Sequence, residues 1–359
     1  MACGLTKLIM RLEARAIPSK AMMFASPVFA LAITITLGSF LFVALGKDPI
    51  RGLSMFFVEP LSSVYALTEL MVKATPLMLC AVGLAICYRA NVWNIGAEGQ
   101  LLLGAIAGGG VALLAGKGAS PLWVVATLGA GALGGMAWAG ITAFLKDRFN
   151  ANEILVSLML VYVANYLLAY LVYGPWKDPQ GFNFPQTSMF VPSVLVPIIW
   201  PNSRLHLGFI LALIALVLGW LFIARSYAGF QMQVGGIAPA AARYAGYSSR
   251  KALWTAMLIS GGAAGLAGAL EATGPLGQLT PYVSPGYGFA AIIVAFVGRL
   301  HPFGIFFAAT LLSMFYIGGE LGQSRMQLPN ALTGVFQGLL LFCLLACDTL
   351  IHYRVRWKN

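Results

Sequence analysis

Long apolar segments separated by short polar breaks extend along almost the whole chain. A helix that crosses a bilayer needs about twenty mainly apolar residues. Ten segments qualify as candidate spans: Pro27–Gly46, Tyr65–Tyr88, Gly99–Gly116, Pro121–Leu145, Glu153–Tyr173, Leu207–Ala224, Ala252–Ala272, Tyr287–Gly298, Pro302–Gly319 and Pro329–His352. The eighth is short for a full span and is flanked by helix-breaking residues. The pattern predicts an all-α polytopic membrane protein with about ten transmembrane helices, some of them short and broken.

The composition supports a membrane protein. Of the 359 residues, 60% are hydrophobic and only 9% are charged, whereas a soluble domain carries roughly 25% charged residues. The mean hydropathy is +0.84. Because a soluble fold of this length could not hide so much apolar surface, we expect one transmembrane domain over residues 1–359.

The basic residues predict how the chain is oriented. Although the net charge is +11, no basic patch or nucleic-acid-binding motif accompanies it, so we expect no nucleic-acid partner. With ten spans, 15 of the 22 Lys and Arg residues fall on one side and six on the other, while Lys73 lies within a span. The positive-inside rule then places both termini in the cytoplasm. We expect a cytoplasmic segment over residues 1–26, an external loop over 174–206 and a cytoplasmic segment over 225–251.

The first span could instead be a cleaved signal peptide. Its apolar stretch is longer than a typical signal-peptide core, and no convincing small-residue cleavage site follows it. The sequence therefore favours an uncleaved first span.

One stretch between the second and third spans, RANVWNIGAEGQLLLGA from Arg89 to Ala105, is unusually polar. A carboxylate at the bilayer centre costs about 2.5 to 3.5 kcal/mol on insertion scales, so such groups need partners or water. Glu98 has two interpretations: it caps the third span or pairs with Arg89, or it contacts a transported solute. The candidate residues for a solute pathway in this stretch are Asn91, Asn94, Glu98 and Gln100.

A second polar group opens the fifth span and adds further pathway candidates. Asn152 followed by Glu153 is typical of a helix N-cap with an acid in the first turn. Asn165, in the middle of the same span, either bonds to a neighbouring helix or lines a pathway. Glu271, at the end of the seventh span, is expected to face the outer water.

The segment GGIAPAAARYAGYSSRKALW, from Gly235 to Trp254, lies on the positive side. Pro239–Tyr244 is predicted as a short alanine-rich helix, bounded by Gly235-Gly236 before it and Gly246 after it. So much alanine and tyrosine favours a helix that lies across the membrane face and fits a groove on another protein.

Several pairs of glycines are spaced four residues apart, as in closely packed membrane helices. These pairs are Gly104 and Gly108, Gly131 and Gly135, Gly261 and Gly265, and Gly334 and Gly338.

Motifs of enzyme chemistry are absent from the sequence. It has no Gly-x-x-x-x-Gly-Lys-Ser/Thr phosphate loop, no His-Glu-x-x-His and no Gly-x-Ser-x-Gly. The five cysteines form no Cys-x-x-Cys pair, and the three histidines are far apart. We therefore expect no catalytic residues, no metal and no cofactor in this chain.

Five segments together resemble the permease family of bacterial ATP-binding-cassette importers for sugars, nucleosides and branched-chain amino acids. They are NIGAEGQ from Asn94, NEI from Asn152, AARYAG ending at Gly246, SGGAAGLAG from Ser260 and GYGF from Gly286. The likeness is closest to the larger permease of the nucleoside or simple-sugar branch. Together the segments cover the chain from about the second span to the ninth.

The resemblance implies a subunit of a larger machine in the bacterial plasma (inner) membrane, in contact with lipid. Its partners would be a second related permease, cytoplasmic ATP-binding subunits and an external solute-binding lipoprotein or periplasmic protein. The short inner helix would be the coupling helix seated on the ATPase, with candidate contacts at Pro239, Ala242, Arg243, Tyr244 and Gly246. Ala238 departs from the asparagine expected in the family, which leaves the docking contacts open.

The resulting hypothesis is a permease that forms the path of a nucleoside or sugar-like solute, with the stretch from Arg89 to Ala105 lining or bracing that path. The alternative is an ion-coupled secondary transporter, which would place carboxylates at the bilayer midplane in broken helices. Glu98 and the short eighth span agree with it, but the acid is not repeated convincingly elsewhere. A membrane enzyme would need grouped nucleophiles or metal ligands, which the sequence lacks.

Overall fold

The computed structural model describes residues 9–15, 20–116, 118, 120–329 and 331–358. The helices are α1 (Lys20–Ala44), α2 (Pro49–Phe57), α3 (Val64–Arg89), α4 (Ala97–Leu114), α5 (Leu122–Phe149), α6 (Glu153–Tyr173), α7 (Gly208–Arg225), α8 (Tyr227–Ile237), α9 (Pro239–Tyr244), α10 (Ser249–Glu271), α11 (Tyr287–Val297), α12 (Pro302–Met326) and α13 (Ala331–His352). The strands are β1 (Ile9–Ala14) and β2 (Tyr353–Lys358). Residues 1–8 and 16–19 of the predicted N-terminal segment lie outside the described residues.

The predicted all-α membrane architecture is confirmed. Among the described helices, nine are long and apolar enough to cross a membrane, and α11 is a shorter apolar helix. With 11 residues, α11 is only about 17 Å long, which agrees with the short eighth span of the prediction. The helix α6 has the predicted bounds because Asn152 caps its start and Gly174 follows its end.

The chain divides into two compact units. The first contains the residues up to Pro60 and those from Met314 onward. Its core is a cluster of buried rings with centroids 4.8 to 6.3 Å apart, formed by Phe42, Phe56, Phe315 and Phe336. Strands β1 and β2 pair antiparallel in this unit, with Ile9 opposite Lys358. Neither this ribbon nor α2 was predicted from the sequence.

The second unit runs from Leu61 to Ser313. Helix α3 is buried along almost its whole length and contacts α7, α10 and α11. Helices α4, α5 and α10 pack against one another through glycines. A Cβ at Gly104 would lie 2.1 Å from the Gly265 carbonyl oxygen, and one at Gly135 would lie 2.1 Å from that of Gly261. Close packing is therefore confirmed for three of the predicted glycine pairs.

The fourth glycine pair does not pack in this way. A Cβ added at Gly334 or at Gly338 would have open space around it. Four-residue spacing on α13 therefore did not indicate a helix contact among the described residues.

The second unit has two ends, which we name by the helix or loop found there. The α9 end holds the start of α6, the end of α7 and helices α8 and α9. The loop end holds the segment between α6 and α7, residues 174–207. This segment bonds to the backbone that follows α10: Thr187 donates to Leu279, Phe190 to Gly277 and Val196 to Thr273, at 2.8 to 3.1 Å.

Helix α10 continues into an irregular turn at the loop end. After Glu271 the chain forms one π-helical turn, Ala272–Leu276, and Gly277 then takes a left-handed conformation with φ +67°. Glu271 is only 8% exposed, so the prediction that it faces the outer water was wrong. The loop bonds to this turn, whose first two residues, Ala272 and Thr273, are fully buried.

Candidate functional site

The polar stretch predicted between two spans is a non-helical break between α3 and α4. Helix α3 ends through Asn91, whose φ of +55° lets the Val92 N–H bond back to the Cys87 carbonyl at 2.9 Å. The exposed Asn91 side chain accepts the indole N–H of Trp93 at 3.2 Å. Its contacts are those of a helix end at the surface.

Asn94 and Gln100 form the centre of a buried hydrogen-bond network. The two side-chain amides bond to each other in both directions, at 3.0 and 3.1 Å. Asn94 also donates to the Ser260 hydroxyl in the middle of α10 at 3.0 Å, and it accepts the Gly96 N–H at 3.0 Å. Neither side chain is more than 1% exposed. The network fixes the break against α10 and satisfies polar groups that could not face lipid.

Glu98 lies in the first turn of α4, and its carboxylate reaches the start of α11. The Gly288 N–H donates to it at 2.6 Å. The side chain is 4% exposed. A carboxylate at this position faces the positive end of the α11 dipole. The carboxylate therefore caps α11 from a neighbouring helix, whereas α4 has no side-chain hydrogen bond at its own N-cap, Gly96.

Arg89 contacts the opposite end of α11. Its guanidinium donates twice to the Leu300 carbonyl, at 2.9 and 3.1 Å, and once to the Gln233 side chain of α8 at 3.4 Å. Arg89 and Glu98 therefore do not pair with each other as considered above. Arg89 bonds beyond the end of α11, and Glu98 bonds at its start. The ring of Tyr88, beside Arg89, stacks on that of Phe296 in α11, with centroids 5.1 Å apart. One continuous stretch of sequence thus holds both ends of the short helix.

Asn152 and Glu153 lie at the α9 end, and their side chains are not part of the buried network. Asn152 accepts the N–H groups of Ile154 and Leu155 at 3.0 and 3.4 Å, which confirms the predicted N-cap. Glu153 forms an ion pair with Lys146 of α5 at 3.0 Å. Both contacts are structural, and they fix the start of α6 against the end of α5.

Asn165 lies on the outward face of α6. Its side-chain amide donates to the Val161 carbonyl one turn earlier at 3.2 Å, and the residue is exposed. It is therefore separate from the network around Asn94.

The predicted coupling residues lie on and beside α9. Pro239 opens the helix, and Gly246, with φ +79°, ends it so that the Tyr247 N–H reaches the Ala242 carbonyl at 2.9 Å. Ala242 is 4% exposed, whereas Arg243 is exposed and Tyr244 is 97% exposed. A groove of about 350 Å³ runs between α8, α9 and α10 and includes Pro239, Ala242 and Arg243 in its lining.

Helix α8 was missed by the sequence analysis. The pair Gly235-Gly236, interpreted as helix breakers, lies inside α8. A Cβ at Gly236 would come within 2.4 Å of the Arg89 carbonyl oxygen, so close packing rather than a turn requires this glycine. The bound of the predicted short helix, Pro239–Tyr244, is confirmed.

Metal-binding geometry does not occur in the part of the chain that the structure describes, where no group of three His, Cys, Asp or Glu side chains could hold an ion. Cys80, Cys87, Cys343 and Cys347 are free and buried. Buried thiols of this kind pack as small apolar groups.

These features define a multi-helix membrane protein with a buried polar break and an exposed short helix at one end. The family described as "Branched-chain amino acid transport system / permease component" matches residues 66–345, and the chain belongs to this family. It is a permease subunit of an ABC transporter, a multi-pass membrane protein and not itself an enzyme.

Curated relatives match over most of their length. The chain is 34% identical to the glucose ABC transporter permease protein TsgB13 of Haloferax volcanii, over 92% of this chain and 90% of the relative. It is 34% identical to the guanosine ABC transporter permease protein NupP of Bacillus subtilis, over 81% and 84%. It is 26% identical to the nucleoside ABC transporter permease protein NupB of Lactococcus lactis subsp. cremoris, over 88% and 89%.

Proposed function

We propose that this chain forms part of the solute path of an ATP-driven importer for a nucleoside or sugar-like solute. The relatives support this proposal because they are named as permeases for glucose, guanosine and nucleosides. The sequence has no phosphate-binding loop, so ATP would be hydrolysed by a partner.

The observation that carries the proposal is the exposed α8–α9 surface. Ile237 and Tyr244 are 84% and 97% exposed beside the groove that Arg243 helps to line. Large side chains presented in this way at the end of a bundle mark a protein contact. In the proposed assembly the ATP-binding subunits dock here, and α9 acts as the coupling helix.

The rest of the assembly follows from the family. A second related permease would complete the path, and an external solute-binding lipoprotein or periplasmic protein would deliver the solute. The uneven distribution of Lys and Arg along the sequence supports a cytoplasmic position for the segment with α9 and for both termini, in a bacterial plasma membrane.

The break between α3 and α4 would brace the path rather than line it. Asn94, Glu98 and Gln100 are buried and bonded within the protein, so their roles are to hold α4, α10 and α11 in register. Arg89 bonds to α8 on one side and to the end of α11 on the other. A displacement of α8 by the ATPase would therefore be transmitted to α11 through Arg89.

The test is co-expression with the candidate ATPase, second permease and binding protein, followed by purification and reconstitution. The subunits should co-purify, and vesicles should accumulate guanosine or glucose only with ATP. An Arg243→Glu variant should still assemble but should hydrolyse ATP without accumulating solute. Arg148→Glu, another exposed basic residue at the same end, is the matched control and should behave as the parent.

Two results would overturn the proposal. One is failure to recover any ATP-binding subunit with the permease. The other is accumulation by the permease alone, or accumulation that persists without ATP while an ion gradient is intact, which would indicate a secondary transporter.

A further inference from the structure

The outward face of α6 differs from the outward faces of α5 and α7. Its exposed positions carry a stripe of tyrosines, Tyr162, Tyr166, Tyr170 and Tyr173, which are 55 to 74% exposed. Their spacing of four, four and three residues keeps them on one side of the helix. Asn165 is exposed beside them. We call this set the α6 tyrosine stripe.

The opposite side of α6 is packed inside the protein. Ser157, Val161, Ala164, Leu168 and Val172 are all buried, with 2% exposure or less. Ser157 accepts the Ile95 N–H of the break at 3.3 Å. The helix therefore buries mainly small and aliphatic side chains, and it presents its phenols and amide outward together with Leu155, Met159 and Val163, which are 50 to 57% exposed.

Lipid does not account for the phenols and the amide on this face. The exposed side chains of α7 include Ile210, Ile214, Val217, Leu218 and Leu221, and those of α5 include Leu122, Val125, Leu133 and Ile141. Aliphatic faces of this kind are what hydrocarbon requires, because a polar group in lipid must find a partner. The face of α6 differs in carrying phenols and an amide beside its exposed aliphatic side chains.

Tyrosines can form a belt at the level of the lipid headgroups, but part of the α6 tyrosine stripe lies too deep for that. Tyr162 and Tyr166 lie about 14 and about 20 Å along a helix of about 30 Å, close to its middle, with Asn165 between them. A belt would account for Tyr170 and Tyr173 near the loop end, but not for three polar side chains at mid-depth.

We propose that the α6 tyrosine stripe lines the solute path and binds an uncharged, ring-shaped solute, with the phenol rings stacking on its flat face and the hydroxyls and the Asn165 amide bonding to its polar edge. The proposal rests on the permease function proposed above and assigns the side chains that would contact its solute. No charged residue occurs between Ile154 and Tyr173, so the stripe has nothing to neutralise an amino acid or a phosphate. Aromatic stacking suits a nucleobase, and hydroxyl and amide groups suit both nucleosides and sugars.

Thiol accessibility in the reconstituted importer tests the proposal. The parent carries Cys3→Ser, and its other four cysteines are buried. Tyr162→Cys and Tyr166→Cys are compared with Ile214→Cys, a 48% exposed position on α7, for reaction with a water-soluble methanethiosulfonate. We expect both tyrosine positions to react at least tenfold faster than Ile214→Cys, and the reaction to stop uptake. Guanosine or glucose, whichever the vesicles accumulate, should slow it.

Two outcomes would overturn the proposal while leaving the permease function intact. If the vesicles show ATP-driven uptake but both positions react as slowly as Ile214→Cys, the stripe faces lipid. If they crosslink to the second permease and the solute has no effect on the reaction, the stripe is a protein interface. Failure of ATP-driven uptake in the parent, by contrast, is a failure of the function proposed above.

Conservative substitutions distinguish stacking from general disruption of the helix. Tyr166→Phe keeps the ring, so uptake at low solute concentration should stay within about threefold of the parent. Tyr166→Leu removes the ring and should lower uptake at least tenfold, with unchanged amounts in the membrane. Equal uptake by the two variants would contradict stacking. Comparison of guanosine uptake with glucose uptake decides whether the ring-shaped solute is a nucleoside or a sugar.

Discussion

The carboxylate of Glu98 accepts the N–H of Gly288 at 2.6 Å, although the two residues are 190 positions apart in the sequence. Gly288 is the second residue of α11, and a Cβ there would lie 2.2 Å from the Glu98 nitrogen. The contact is therefore both a hydrogen bond and a close backbone approach. The start of α11 cannot move away from α4 without breaking this bond inside the protein.

Replacing Glu98 tests whether this contact is needed for transport. Glu98→Ala leaves the buried Gly288 N–H without its acceptor, which costs about 1 to 3 kcal/mol. We expect uptake to be abolished while the protein still inserts, because the substitution does not shorten any apolar span. Glu98→Gln keeps an acceptor oxygen and should retain part of the uptake. Both are measured as solute accumulation per amount of permease in the membrane.

The control for Glu98 is another carboxylate in an ion pair. Glu153→Gln disrupts only the contact with Lys146 at the α9 end and should keep uptake within about twofold of the parent. Full uptake by Glu98→Ala at normal membrane levels would show that the contact has no role in transport.

The contacts of Arg89 predict a loss of coupling. Arg89→Ala removes the bonds to Leu300 and Gln233, so α8 could move without moving α11. We expect uptake per ATP hydrolysed to fall at least tenfold, with hydrolysis itself retained. If the two contacts act in series, Arg89→Ala combined with Gln233→Ala should be no worse than Arg89→Ala alone.

Additive effects in that double-mutant cycle would contradict a relay through Arg89. Arg148→Ala, at an exposed position of α5, is the control and should keep the parent's ratio of uptake to hydrolysis.

The long helices could be predicted from the sequence because their signals are local. Twenty apolar residues identify a span, and Asn152 before Glu153 identifies where α6 begins. Helix α2 was missed because nine residues are too few to be recognised by apolar length. Helix α8 was missed because Gly236 is required by a distant contact with Arg89, and nothing in its own neighbourhood shows this.

The polar residues of the site could be predicted from the sequence, but the residues that they contact could not. Polarity between two spans indicated Asn94, Glu98 and Gln100, since such groups are costly in a membrane. Their partners, Ser260 and Gly288, lie more than 150 positions away. The only local signal was the glycine-rich start of the short eighth span, which indicated a break without indicating what it contacts.

The glycine crossing of α4, α5 and α10 predicts a strong effect of one methyl group. At Gly265 a Cβ would lie 2.3 Å from the Gly131 carbonyl oxygen, and backbone cannot move aside as a flexible side chain can. Gly265→Ala should therefore destabilise the protein by about 1 to 3 kcal/mol. The measurement is the thermal unfolding midpoint in detergent. Gly129→Ala on α5, where a Cβ meets nothing within 4 Å, should leave the midpoint unchanged or raise it.

His206 makes the loop end sensitive to acid. Its ring is 2% exposed, its Nδ1 accepts the Gly208 N–H at 3.1 Å, and burial lowers its pKa from 6.5 to about 4. Between these values the unfolded chain binds a proton that the folded chain does not, so stability falls as the pH decreases from 6.5 toward 4, by about 3 kcal/mol. His206→Gln removes this dependence. Thermal unfolding at pH 7 and 4.5 should show a smaller pH effect for His206→Gln than for the parent, and exposed His301→Gln is the control. The same pH effect in all three proteins would show that the buried ring is not its source.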